Sequence, residues 1–296
     1  MDTRRRRFLA TVAAAAGLAG VHPLGQPTLA QSPPRRKGPR VGTVTYNIAK
    51  DWDVPTIIKN LTEAGLHGVE LRTTHAHGVE IAMPAAARAE VRKRFADSPI
   101  ALAGLGTICE YQSPDAAIVR KNIEETKAWV QLAHDVGSPG VKVRPNGLPA
   151  GVPEEKTLEQ IGRALKVCGA AAADQGVKIQ LEVHGEGTAR VPRIRTILNH
   201  AENHPAVRVC WNSNQDDLLD GGLESNFRLV QAQIGQVHMR DLFLDEYPWR
   251  RLIGLLNGIG FDGYCFAEIP PSADPVRVLK YFRAAFQAHQ TCAGNS

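Results

Sequence analysis

Charged and imidazole side chains stand inside short apolar stretches at three points of the sequence. Glu182 and His184 are two residues apart in VKIQLEVHG, and His238 and Arg240 have the same spacing in QVHMRDLF. In an extended strand this spacing places both members of a pair on one face. Glu268 lies in the apolar run GYCFAEIP, where a buried carboxylate is costly unless it is paired or binds a metal. These residue types favour metal or acid–base chemistry.

Glu182, His238 and Glu268 together predict a metal centre. Two carboxylates in one site repel each other, and a divalent cation between them removes the repulsion. Oxygen ligands with one imidazole suit Mn²⁺, Mg²⁺, Fe²⁺, Co²⁺ or Zn²⁺ rather than a thiolate site. Each residue taken alone also has a structural interpretation, as an ion-pair partner or a core histidine.

The elements that carry these residues alternate regularly after residue 40. We predict strands at 40–48, 68–72, 101–108, 140–146, 177–185, 207–214, 236–243 and 263–270, each followed by a helix. This order implies parallel βαβ units, and eight of them in about 250 residues match an α/β fold with one closed (β/α)₈ TIM barrel. The alternative, an open doubly wound sheet, needs a glycine-rich dinucleotide turn, and HGEG (184–187) lacks its spacing.

In a (β/α)₈ barrel the active site lies at the carboxyl ends of the strands. The predicted strand ends offer Glu70, Arg72, Lys142, Arg144, Glu182, His184, Asn212, Asn214, Gln215, His238, Arg240 and Glu268. His75 and His77 follow the second strand in TTHAHG. We interpret them as a substrate-binding loop, and the alternatives are solvated loop histidines or a second metal pair.

The first thirty residues differ from the rest of the chain. A basic start, the apolar run TVAAAAGLAG and a small-residue site at Ala30 predict a secretory signal over residues 1–30. Arg5 and Arg6, followed by Phe8 and Leu9, favour the twin-arginine type. The apolar run is too short for a stable membrane span. We therefore expect an exported, periplasmic protein, which stays anchored if the signal is not cleaved.

Charge and cysteine content narrow the function classes further. Removing residues 1–30 lowers the formal net charge from +5 to +2, which leaves no basis for a nucleic-acid partner. Residues 31–40 read as a Pro-rich basic linker before a barrel spanning 41–296. The five cysteines form no CxxC motif, so we expect buried thiols, with a single disulfide as the alternative.

The motifs LEVHG, CWNSN, VHMRD and FAEI, within residues 41–290, resemble the xylose isomerase-like barrels. This superfamily includes sugar phosphate isomerases and epimerases and, more distantly, the endonuclease IV fold. The resemblance implies one divalent ion, Mn²⁺ as first choice, held by Glu182, Asn212, His238 and Glu268. Asn212 and Gln215 stand where the family has a carboxylate and a histidine. We expect weaker metal binding; alternatively, Asn212 only caps its strand.

The resemblance also implies a reaction. Glu182 and Glu268 would act as base and acid in proton abstraction next to a carbonyl, through an enediolate. A small carbohydrate or glycoside would contact Glu70, Arg72, His75, His77, Lys142, Arg144, His184, Asn214, Gln215 and Arg240. Export favours free sugars, glycosides or inositols over phosphorylated sugars.

Three other functions compete with a metal-dependent sugar isomerase or epimerase. A lyase or hydrolase that eliminates the aglycone of a 3-keto-glycoside would use the same first step. A non-catalytic periplasmic sugar-binding barrel would keep the pocket without needing paired carboxylates. Endonuclease IV-like repair requires three metals and more His and Asp ligands than the strand ends offer. A homo-oligomer is compatible with the sequence.

Overall fold

A computed structural model describes residues 38–293. The predicted signal and residues 31–37 of the predicted linker lie outside the described residues, so both remain predictions. Eight parallel strands close into a barrel in sequence order. They are β1 (Arg40–Val44), β2 (Gly68–Arg72), β3 (Ala101–Glu110), β4 (Gly140–Arg144), β5 (Lys178–Glu182), β6 (Val207–Asn212), β7 (Ile234–Met239) and β8 (Tyr264–Ala267).

A helix follows each strand, which confirms the predicted single (β/α)₈ barrel. The helices are α1 (Val54–Ala64), α2 (Ala85–Ala96), α3 (Ala116–Val136), α4 (Glu154–Asp174), α5 (Val191–His200), α6 (Leu223–Val230), α7 (Trp249–Gly258) and α8 (Pro275–Ala293). Short 3₁₀ helices at Gln215–Leu218 and Gln231–Gln233 flank α6.

The first helix shows how the local sequence produces the elements. The Asp53 side chain accepts a hydrogen bond from Thr56 N at the start of α1, and Gly65 ends the helix at φ 71°. Its buried residues Val54, Ile57, Leu61 and Ala64 recur at helical spacing and pack against the barrel. The same pattern on the other helices creates a continuous apolar layer between helices and strands.

The middle of the barrel interior contains polar side chains and is not filled by branched aliphatic side chains alone. Glu70, Gln180 and Gln236 are buried there. Two glycines of β3 provide the room, because a Cβ atom at Gly106 would lie 2.8 Å from Glu70 Oε1 and one at Gly104 would lie 3.3 Å from Glu70 Oε2. The fold therefore brings charge into a region that usually holds hydrocarbon.

Six of the eight strands end earlier than the hydrophobic pattern predicts, whereas β2 ends at Arg72 as predicted and β3 extends to Glu110. Strand β5 ends at Glu182, β6 at Asn212 and β8 at Ala267, so His184, Asn214 and Glu268 belong to the loops that follow. Strand pairing ceases where the chain turns outward to reach the next helix. The candidate residues thus lie on the last strand positions and the first loop positions.

Cys109, Cys168, Cys210 and Cys265 are buried free thiols, as expected, whereas Cys292 is exposed. In residues 38–293, no helix is both long and apolar enough to cross a membrane.

We expect Gly185→Ala to destabilise the fold next to the site. Gly185 has φ 92°, and an added Cβ would lie 2.6 Å from Asn146 Cα. Strain and backbone collision together should cost about 2–4 kcal/mol in the free energy of unfolding. Gly176→Ala is the matched control, because Gly176 has φ 68° and no heavy atom within 4 Å of the added Cβ. Urea denaturation should show a loss of about 1 kcal/mol for this control, and equal losses would contradict the packing argument.

Candidate metal centre and active site

Glu182, His238 and Glu268 converge at the carboxyl end of the barrel. One ligand atom from each residue lies within 4.8 Å of the other two. His238 Nδ1 is 3.3 Å from Glu182 Oε1 and 3.6 Å from Glu268 Oε2. His238 and Glu182 are buried, whereas the side chain of Glu268 is 22% exposed. The three predicted ligands therefore form one cluster that is open on the Glu268 side.

The other ring nitrogen of His238 faces Glu70. His238 Nε2 lies 3.3 Å from Glu70 Oε2, and Gln236 Nε2 donates a short hydrogen bond to the same oxygen. A proton on Nε2 suits this contact, and it leaves Nδ1 directed toward Glu182 and Glu268 as a nitrogen that a cation can bind. His238 Nδ1 is buried and has no hydrogen-bond partner among the described residues. An unpartnered imidazole nitrogen between two carboxylates fits a metal ligand whose ring is oriented by a carboxylate behind it.

Glu70 lies in a different place from the one predicted. We expected it to contact substrate, but its side chain is fully buried behind His238. It stands one layer below the open end, in the space that Gly104 and Gly106 leave. We therefore interpret Glu70 as the residue that positions His238.

The electrostatics of the cluster show a demand for positive charge. Burial alone would lower the pKa of His238, but its interactions with Cys210, Glu70 and Glu268 outweigh burial and raise it well above its usual value. Burial would raise the pKa of Glu182, yet Lys142 and His238 hold it far below its usual range. An environment that favours the imidazolium form and ionised carboxylates is also one that favours a bound cation.

Asn212 lies next to Glu182 and His238. Its backbone pairs with His238 across β6 and β7, and its Nδ2 donates to Glu182 Oε1 over 3.2 Å. The amide oxygen and nitrogen exchange places when the amide turns over, so the same side chain can present Oδ1 to a cation. Asn212 thus lies next to one of the three candidate ligands, and its role as a fourth ligand stays a prediction.

Lys142 lies deeper than predicted. We expected a substrate contact, but Lys142 Nζ is buried and lies 2.7 Å from Glu182 Oε2. The ladder between β4 and β5 pairs Lys142 with Gln180, two residues before Glu182. Lys142 therefore acts on the centre through a carboxylate.

Two predicted substrate contacts after β6 have structural partners instead. Asn214 Oδ1 accepts from Asp216 N over 2.8 Å and caps the 3₁₀ helix, while Asn214 Nδ2 donates to Asn212 O. Gln215 Nε2 donates to Glu246 O over 3.2 Å. Strand β6 is followed almost directly by the 3₁₀ helix, so the side-chain amides of Asn214 and Gln215 bind backbone groups of this turn and of a neighbouring loop.

The remaining predicted contacts surround the open end. Arg144 Nη2 lies 3.6 Å from Glu110 Oε1, and His184 Nδ1 lies 3.0 Å from Asn146 Oδ1. Arg240 follows His238 by two residues, and its Nε and Nη2 atoms are buried without a hydrogen-bond partner among residues 38–293. These side chains keep positions compatible with the predicted substrate role.

The two loop histidines separate into different environments. His77 is buried; Val79 N donates to its Nδ1, so its protonated Nε2 donates to Arg72 O. His75 Nδ1 lies 2.8 Å from Thr45 Oγ1, and burial and Arg72 lower the pKa of His75 to about 4. His77 therefore holds the loop together, and His75 is a neutral ring near the rim.

Tyr46 is a candidate site residue that the sequence analysis did not identify. Its ring stacks on His75 with centroids 6.2 Å apart and planes 8° apart, and Arg72 lies over it at 5.5 Å. Tyr46 is 40% exposed. Asn47 N donates to Ile269 O, which places this ring beside the loop that carries Glu268. The sequence signal that could have identified Tyr46 is an aromatic residue near the carboxyl end of the first predicted strand.

A second missed feature ties two rim loops together. Tyr247 OH donates to Asp217 Oδ2 over 2.7 Å, and Trp211 Nε1 donates to Tyr247 OH over 3.1 Å. Burial raises the pKa of Asp217 to about 7. Thirty residues separate the acid from the phenol, so no local sequence signal connects them.

Solved structures with the same fold include several sugar epimerases. The 3-keto-D-glucoside 4-epimerase YcjR from E. coli aligns with a TM-score of 0.71 and 13% identity, over 84% of this chain and 99% of that one. An L-ribulose 3-epimerase aligns with a TM-score of 0.73 and 16% identity, over 87% and 96%. The IOLI protein with a bound zinc atom aligns with a TM-score of 0.69 and 15% identity, over 86% of this chain and 97% of that one.

At these identities the likeness shows the fold alone. No curated protein sequence matches the chain at a significant level. The family model described as xylose isomerase-like TIM barrel matches residues 58–285, which is most of the chain and contains seven of the eight strands together with Glu182, His238 and Glu268. The chain therefore belongs to the xylose isomerase-like TIM barrel family.

Proposed function

We propose that the protein is a divalent-metal-dependent sugar isomerase or epimerase. The observation that carries the proposal is the convergence of Glu182, Glu268 and the unpartnered Nδ1 of His238 at the open end of the barrel. Several structures with this fold are named as sugar epimerases, which supports the same reaction class. Mn²⁺ is the ion we propose first, and zinc is bound in one structure of similar fold.

The residues of the centre suit proton abstraction next to a carbonyl. Glu182, His238, Glu268 and Asn212 would hold the ion, which polarises the carbonyl of a bound sugar. Glu268 is the partly exposed carboxylate, so it can reach a carbon held at the open end. Glu70 keeps Nδ1 of His238 directed into the centre, and Lys142 keeps Glu182 in place.

We propose a small carbohydrate or a glycoside as substrate. The exposed ring of Tyr46, backed by the neutral ring of His75, offers an apolar face to a sugar. Arg72, Arg144, His184 and Arg240 would bind its hydroxyl groups. We also propose export to the periplasm by the twin-arginine route, on the pattern of residues 1–30, which would bring the enzyme to free sugars and glycosides.

A second candidate is elimination of the aglycone from a 3-keto-glycoside. A structure of similar fold is named as acting on a 3-keto-D-glucoside, and removal of a proton next to the keto group is the first step of both reactions. Whether the product is a rearranged sugar or a released aglycone separates the candidates.

Asn212→Asp should tighten Mn²⁺ binding. The variant adds a carboxylate beside Glu182, so one more negative charge faces the ion, and we expect affinity to rise by about tenfold or more. The same repulsion should lower the melting temperature of the metal-free protein. Isothermal titration calorimetry checks the affinity, with Asn212→Ala as the control that removes the amide. Equal affinity in wild type and both variants would show that residue 212 does not face the ion.

Glu268→Gln should stop proton exchange between sugar and solvent. L-ribulose, D-psicose, D-tagatose and a 3-keto-glucoside would be incubated in D₂O with Mn²⁺ and followed by proton NMR. Loss of the base should lower exchange by at least about a hundredfold, while Mn²⁺ still binds through Glu182 and His238. A wild-type protein that binds one of these sugars without exchange would overturn the enzymatic proposal and favour a sugar-binding barrel.

Tyr46→Ala should raise KM by about three- to tenfold and leave kcat within about twofold, because the lost ring stacking is worth about 1 kcal/mol. Tyr46→Phe is the matched control and should keep both constants. Steady-state kinetics on whichever sugar of the panel exchanges fastest measures the effect. A fall in kcat at constant KM would place Tyr46 in the chemical step instead.

A further inference from the structure

Two neighbouring loops at the open end of the barrel contact each other through side chains that take no part in the proposed metal centre. We call them the β6 turn (residues 213–218) and the β7 loop (residues 240–248). Gln215 Nε2 of the β6 turn donates a hydrogen bond to Glu246 O of the β7 loop over 3.2 Å. Each loop therefore restrains the other.

Asp217 forms the second connection between the two loops, and it is fully buried. Its Oδ2 accepts hydrogen bonds from Tyr247 OH over 2.7 Å and from Asn214 N over 3.1 Å. Its backbone O accepts from Asn226 Nδ2 of α6 over 2.9 Å. Tyr247 OH accepts in turn from Trp211 Nε1 of β6 over 3.1 Å. One carboxyl group thus connects the β6 turn to the β7 loop and, through the phenol, to β6.

The carboxyl group of Asp217 has no cation beside it. It forms no ion pair with any lysine, arginine or histidine of the described chain, and its Oδ1 is buried without a hydrogen-bond partner there. Two nearby arginines already have acidic partners, Arg190 with Asp220 and Arg251 with Glu224. A buried carboxylate that no cation compensates is costly, so the site favours the uncharged acid. The proton then belongs on Oδ1, because Oδ2 accepts two hydrogen bonds.

The surrounding charges agree with a protonated acid near neutral pH. Burial raises the pKa of Asp217 to about 7, and the charge of Asp216 acts in the same direction. Burial also holds the pKa of Tyr247 well above its usual value, so the phenol stays a donor. The charge of Arg240 reaches this cluster, since it acts to lower the pKa of Tyr247. The β7 loop also carries Asp241, whose pKa is raised by burial.

We propose that Asp217 is a positioning residue that holds the β7 loop against the β6 turn in its protonated form, and that the two loops open as Asp217 ionises. The β6 turn begins directly after Asn212, and the β7 loop begins with Arg240. The arrangement of this side of the open end therefore changes with pH. The inference goes beyond the proposed function and does not depend on it, so it is tested without sugar or metal.

The direction of the pH effect follows from the two states of the loops. When the loops open, water reaches Asp217 and its pKa returns toward its ordinary value of 3.8. The closed state then holds a proton that the open state releases between about pH 4 and pH 7. The advantage of the closed state is complete below about pH 4, decreases as the pH rises to about 7, and stays constant above that.

Hydrogen–deuterium exchange followed by mass spectrometry measures the opening in the metal-free protein. Protection factors, corrected for the intrinsic exchange rate, should fall by about tenfold per pH unit between pH 5 and 7 in peptides from the β6 turn and the β7 loop. A peptide from α1 should be more strongly protected than both at every pH. Equal protection in α1 and the two loops would mean that Asp217 acts only through global unfolding, and that result overturns the proposal.

Two single substitutions identify the titrating group. Asp217→Asn resembles the protonated acid in shape and charge, so protection in the two loops should become independent of pH. Asp216→Asn is the matched control, because it removes the neighbouring carboxylate, and it should keep the dependence of the wild type. If Asp217→Asn keeps that dependence, another group such as Asp241 is responsible and the proposal fails.

Tyr247→Phe separates the hydrogen bond from the charge. Loss of the phenol should lower protection in both loops by about fivefold at pH 5, the worth of one buried hydrogen bond, and leave α1 unchanged. Infrared spectroscopy of the wild type needs no variant that must fold. The carbonyl band of a protonated carboxylic acid should be present at pH 6 and disappear by pH 8, and its absence at pH 6 contradicts the proposal.

Discussion

The structure depends on compensation of buried negative charge around one imidazole. Glu70, Glu182 and Glu268 approach His238 within 3.6 Å, on both ring nitrogens. Carboxylates removed from water are stable only when cations or hydrogen-bond donors face them. Lys142 supplies one fixed cation. The negative charge that Lys142 does not compensate raises the pKa of His238. A divalent ion bound between these carboxylates would compensate their charge directly, which is why we propose metal chemistry for this site.

The barrel makes this arrangement possible through the sizes of its interior residues. Gly104 and Gly106 leave the volume that Glu70 fills, and Glu70 in turn orients His238. Parallel strands end at one rim, so ligands separated by many residues in sequence arrive within hydrogen-bond distances of each other. Glu182 is buried beside Lys142 and Glu268 is partly exposed, so two chemically identical side chains lie in different environments.

Much of the fold and part of the site could be predicted from the sequence. Regular alternation of apolar runs and helical patterns predicted the barrel, since periodicity reflects which face each element buries. Charged residues inside apolar runs predicted the positions of Glu182, His238 and Glu268, because a buried charge needs a partner. Six of the eight predicted strands were too long at their carboxyl ends, and after β6 Asn214 caps a 3₁₀ helix. Capping and strand termination use the same amide residues, so composition alone does not separate them.

The sequence by itself therefore determined the element order, the barrel class and the residue types that gather at its open end. Only the tertiary structure decided which of those residues contact each other and which face the open end. It placed Glu70 behind His238 and not in the open mouth, and it paired Lys142 with Glu182. It also stacked Tyr46 on His75. Each of these roles depends on distances between side chains from different strands, which are set by strand register and barrel closure and not by spacing along the chain.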